Sequence, residues 1–73
     1  MPGPGPEAMH RSAIIDDIIR EVREKKVVDV AELAARYGYS YAYFRYHIMK
    51  EAIHRSKKCI EVKSNRAFWV CEE

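Results

Sequence analysis

A chain of 73 residues has room for one small domain with one modest core. Apolar side chains make up 48% and charged ones 33%, which excludes a disordered polyelectrolyte. No apolar run approaches the roughly 18 residues a bilayer requires, and no basic-then-apolar leader is visible, so an intracellular, cytoplasmic protein is expected.

The net charge of +2 is unevenly spread. Residues 1–44 hold six basic and seven acidic side chains, a net of −1. Residues 45–66 hold seven basic ones (Arg45, Lys50, Arg55, Lys57, Lys58, Lys63, Arg66) against Glu51 and Glu61, a net of +5. A positive segment of this kind suits a phosphate backbone. The absence of Gln and Thr, with abundant Ile, Val, Glu, Lys and Arg, resembles a thermophile's usage.

In chain order, residues 1–10 are expected as a Pro/Gly tail and residues 11–73 as the domain. MPGPGPEA alternates residues that serve neither a helix interior nor a strand ladder, and Met9 is an alternative start of the native chain. A first helix is predicted from about Ser12, a candidate N-cap, to Lys26. Ile15, Ile18, Ile19 and Val22 give it one apolar stripe. Val27 and Val28 form a short extended segment, a candidate third strand. Asp29 and Glu32 make a capping box that opens a second helix over about Val30 to Tyr37, and Gly38 can take the positive φ that ends it.

A third helix follows Ser40 and runs to about His54. Tyr37, Tyr39, Tyr41 and Tyr43 alternate like a strand, but Tyr41, Phe44, Ile48 and Ala52 continue at helical spacing and Gly38 interrupts the alternation. With Phe44 inward and about 100° per residue, Ile48 and Tyr41 join the buried side. Ala42, Tyr43, Arg45, Tyr46, Met49 and Lys50 then face outward. Tyr37 and Tyr39 are expected to pack at the core rim.

A β-hairpin closes the chain. A three-residue turn, Ser64-Asn65-Arg66, pairs Val62 with Phe68, buries Ile60, Val62, Phe68 and Val70 together, and sets Cys59 opposite Cys71, where a disulfide can form. A two-residue turn instead pairs Val62 with Ala67 and Ile60 with Trp69. The first register buries the better apolar set and is the one expected.

The order of helix, helix, turn, helix and hairpin reads as an α+β winged helix-turn-helix, which presents one exposed helix to a partner. Arg45 suits a guanine edge or a phosphate, while Tyr43 and Tyr46 suit phosphate oxygens and thymine methyls. Lys50, Lys57, Lys58, Lys63 and Arg66 suit the backbone. With Tyr41, Ala42 and Met49 these make the candidate DNA-contacting set. An exposed Tyr- and Met-rich helix also resembles a protein interface, so a protein partner or homodimer is the alternative. Cys59, Cys71, His47 and His54 miss metal-ligand spacing, and no phosphate loop or nucleophile motif is visible. Neither metal, cofactor nor enzymatic activity is expected.

Glu32-Leu33-Ala34, Gly38, Ser40, the inward Phe44 and the His47-Ile48 pair resemble the winged helix-turn-helix family of bacterial and archaeal regulators. The resemblance implies a duplex-DNA-binding transcription regulator or a chromatin- or nucleoid-associated factor, reading DNA through the third helix and the wing. The Tyr41-Ala42-Tyr43 start departs from the family's usual Ser/Thr-rich one.

Overall fold

A computed structural model describes residues 4–72. It is α+β, with three helices and a C-terminal three-stranded antiparallel sheet, a layout compatible with a winged helix. No helix among the described residues is long and apolar enough to cross a membrane.

The first helix, α1, spans Pro4–Lys25 and so begins before the expected Ser12. Residues 4–10, expected as tail, continue it. Pro4 and Pro6 fall in its first turn, where a missing N–H breaks no intrahelical bond. Ile15, Ile18 and Val22 are buried, as their spacing predicts.

Strand β1 (Val27–Asp29) follows, then α2 (Val30–Tyr37). The Asp29 carboxylate accepts a hydrogen bond from the Glu32 N–H at 3.2 Å and caps α2. At the other end, Gly38 adopts φ 79°. Its N–H donates to the Ala35 carbonyl (3.2 Å) and the Tyr39 N–H to the Ala34 carbonyl (2.9 Å), a Schellman motif that sets the turn into the third helix.

The third helix is not uniform. It consists of α3 (Tyr41–Tyr43), a π-helical turn (Phe44–Ile48) and α4 (Met49–Arg55). The Met49 N–H donates to the Phe44 carbonyl, five residues back. This wider turn brings Met49, which a uniform α-helix would set about 140° from Phe44, into the core beside Ile48. Met49, expected outward, is 0% exposed, whereas Tyr41, expected toward the buried side, is exposed. Beyond the turn the inward stripe restarts as Met49, Ala52 and Ile53.

A second Schellman motif ends α4. The Lys58 N–H donates to the Ile53 carbonyl (2.8 Å) and the Lys57 N–H to the His54 carbonyl (3.0 Å). Lys57 and Lys58 hold φ 61° and 66°, a conformation that costs a side-chain-bearing residue about 1–2 kcal/mol.

Strands β2 (Ile60–Lys63) and β3 (Arg66–Trp69) form the hairpin, and the sheet order is β1-β3-β2. The turn has two residues. Val62 pairs with Ala67 and Ile60 with Trp69, so the expected three-residue register is corrected. β1 decides it: Val28 pairs with Ala67, Asp29 with Arg66, and the Val30 N–H donates to the Asn65 carbonyl at 2.8 Å. Ser64 supplies the positive φ (55°) that a two-residue turn needs. The inward face is therefore Val28, Ala67, Ile60, Val62 and Trp69. β3 packs against α1 and α2, and the small Ala67 fits that layer where Phe68 would not. Phe68 lies on the outer face, and Val70 is 51% exposed rather than buried.

Cys59 and Cys71 form a disulfide across the base of the hairpin, with Cα atoms 5.0 Å apart. They are diagonal rather than directly opposite, since the Val70 N–H donates to the Cys59 carbonyl at 2.8 Å.

Ion pairs staple α1 to the other helices. Glu21 receives both Arg36 guanidinium nitrogens (2.8 and 3.2 Å) and Lys25 Nζ (3.1 Å). The Arg36 hydrogen bonds hold the Glu21 carboxyl below its ordinary value of 4.5, partial burial opposes them, and Lys25 adds to the lowering. A carboxyl whose folded value is depressed stabilises the fold above its unfolded value and loses that contribution as pH falls through the folded value. Between pH 6 and pH 3 the native chain should therefore lose more stability than Glu21→Gln does, as read by denaturant titration at both pH values. Equal losses would show that the staple adds nothing.

Candidate nucleic-acid interface

The third helix starts under control of its cap: the Ser40 hydroxyl accepts from the Tyr43 N–H at 3.3 Å. Phe44 is fully buried between Tyr37, stacked at 6.4 Å between centroids, and Tyr39 at 5.8 Å. The rim packing expected of Tyr37 and Tyr39 is thus observed. Tyr39 also stacks on Tyr43 (5.6 Å), and Tyr43 on His47 (4.7 Å), so an aromatic ladder runs along one flank of the helix. The Tyr43 phenol oxygen accepts from Arg11 at 3.0 Å, and that guanidinium also meets Glu51 at 3.4 Å. Tyr43 therefore has one exposed edge rather than a free ring. Among the described residues, Tyr46 is the most open of the large apolar and aromatic side chains, at 63% exposure. It lines a shallow groove of about 500 Å³ with His47, Lys50, Glu51 and His54.

Arg45 takes a role that its sequence position did not suggest. Its guanidinium donates to the Ser64 carbonyl at 3.1 Å and lies over the Tyr46 ring at 5.6 Å. It braces the third helix against the wing tip, so helix and wing present a joined surface.

The basic residues divide sharply. Toward α1, Arg20 pairs with Asp17, Lys25 and Arg36 with Glu21, and Arg11 with Glu51. Arg55 belongs to this paired group as well. It donates to the Ser12 carbonyl and hydroxyl, reaches Asp16 at 3.0 Å and Glu51 at 3.4 Å, and so anchors α4 to α1. Lys50, Lys57, Lys58, Lys63 and Arg66 are exposed and have no ion pair among the described residues. Lys63 and Arg66 face each other across the hairpin.

No family model, curated protein or solved structure matches the chain. The functional reading therefore rests on geometry and charge.

Of the candidate set, Tyr41, Ala42, Tyr43, Tyr46 and Lys50 share the exposed side of the third helix, and Lys63 and Arg66 sit at the wing tip. Lys57 and Lys58 lie at the strained turn between them. Met49 leaves the set for the core. Phe68 was missed. Its outward position was legible only in the two-residue register, which the Val27-Val28 segment favours once it is paired as a third strand.

Proposed function

We propose that this protein binds double-stranded DNA through the third helix and the wing, as a transcription regulator or a nucleoid-associated factor. The observation that carries the reading is the division of charge. Five cations along the third helix, its C-terminal turn and the wing have no ion pair among the described residues, while most of the other arginines and lysines are spent within the fold. Unpaired cations on a braced helix-and-wing surface are what phosphate neutralisation needs. Tyr46 and Tyr41 stand among them with aromatic area for sugars and thymine methyls. The rival reading, a protein or homodimer interface on a Tyr/Met face, keeps the exposed tyrosines but loses Met49 to the core.

Replacing Lys50, Lys63 and Arg66 together with Ala tests this. The dependence of log affinity on log salt should fall in magnitude by about 2.7, or roughly 0.9 per lost phosphate contact. A slope unchanged from the native chain would remove these residues from the contact surface.

A further inference from the structure

We propose that the outer face of the sheet is a second nucleic-acid site, which takes a single strand by stacking a base on Phe68 and seating its phosphate between Lys63 and Arg66. The site does not depend on the duplex reading; only Lys63 and Arg66 enter both.

Three observations converge on it. The register turns Phe68 away from the core, in one row with Val27 and Glu61, and leaves its ring partly exposed. In the next row toward the tip, Lys63 and Arg66 are directly opposite and project from the same face. Like charges in that position repel and destabilise a hairpin unless an anion lies between them. Asp29 is in the same row, directly opposite Arg66 on the side away from Lys63, but its carboxylate accepts from the Glu32 N–H and makes no ion pair with Arg66. Finally, Phe68, Lys63 and Arg66 line one cavity of about 380 Å³ with Asp29, Ser64 and Asn65.

An aromatic floor beside two cations without an ion pair among the described residues is the chemistry that holds one nucleotide of a single strand: π-stacking for the base and charge for the phosphate. Each row carries one carboxylate, Glu61 beside Phe68 and Asp29 beside Arg66, but only the tip row carries two cations, so the phosphate sits at the tip between Lys63 and Arg66 and the base over the ring. Val27, at 42% exposure, widens the apolar surface beside Phe68 in the same row, and the exposed Val70 extends it away from the tip, where a neighbouring base of the same strand would lie. A duplex cannot use this floor, because its bases are already stacked on one another.

The test measures the affinity of a labelled single strand of about eight nucleotides, within the site size of one small module, and of a labelled duplex, for the native protein and two variants. Phe68→Leu keeps an apolar side chain at a partly exposed position and removes the π-face; a circular dichroism melt confirms that it folds. Phe68→Trp restores a larger ring. Single-strand affinity should fall roughly ten-fold in Phe68→Leu and recover in Phe68→Trp, while duplex affinity stays within about two-fold. Equal single-strand affinity for Phe68→Leu and the native chain would overturn the proposal. So would a native dimer that Phe68→Leu converts to monomer without change in single-strand affinity, since the face would then belong to a second copy of the chain. Because the two probes are read separately, loss of the duplex reading and loss of this one are distinguishable.

Discussion

Met49→Asp should unfold the domain at room temperature, whereas Tyr46→Asp should lower its melting temperature by only a few degrees. A uniform α-helix places both residues outward, Met49 at about 140° from Phe44, and makes both substitutions mild. The π-helical turn separates them. Met49 is wholly buried among Phe44, Ile48 and Ala52, while Tyr46 is 63% exposed. Introducing a carboxylate at Met49 forfeits about 2 kcal/mol of apolar burial and adds several kcal/mol for an unpaired buried charge. Aspartate is the informative choice, because a lysine can reach solvent along its own stem. A domain of this size holds only about 4–11 kcal/mol in total. At position 46 the losses are helix propensity and one cation–π contact with Arg45, together about 1 kcal/mol. Circular dichroism melts of the two variants decide the matter, and a cooperative, near-native melt for Met49→Asp would show that the third helix is α-helical throughout.

Replacing Cys59 and Cys71 together by Ser should cost about 3 kcal/mol, the loop-closure term for a disulfide that spans a sequence separation of 12. For a domain under 100 residues this lowers the melting temperature by on the order of 15 °C. The bond ties the start of β2 to the end of β3, where the strands end and Val70 contributes little burial. Reductant should shift the native chain by the same amount and leave the double variant unmoved. A native chain that shows two reactive thiols before any reductant is added would contradict the bond.

How much of this was legible in the residues depends on which neighbours set each element. Asp29, Ser40 and Gly38 act within three or four residues, so the capping of α2 and the turn into the third helix could be read directly from sequence. The stripe Ile15, Ile18 and Val22 was equally clear, because its period is that of an ordinary α-helix. The phase of the third helix was not. Its inward residues follow α-helical spacing up to Ile48 and then slip by one, and only the packing of Ile48 and Met49 together explains the slip. The hairpin register also lay outside local reach. Both registers bury apolar residues, and the choice rests on β1, more than thirty residues earlier, pairing Val28 with Ala67. Since a one-residue slip reverses every side chain, the same error hid Phe68 and overstated the burial of Val70. The charge asymmetry was visible, but which cations are spent was not: Arg55 and Arg45 look like their neighbours until Asp16 and the Ser64 carbonyl are brought to them by the fold.

The central claim is that the helix-and-wing surface neutralises DNA phosphates, and fluorescence anisotropy of a labelled mixed-sequence duplex across a range of salt tests it most directly. With five cations engaged, log affinity should fall against log salt with a slope of roughly −4.5. No binding at low salt, or binding indifferent to salt, would contradict the claim and leave the exposed tyrosines of the third helix as a surface for a protein partner.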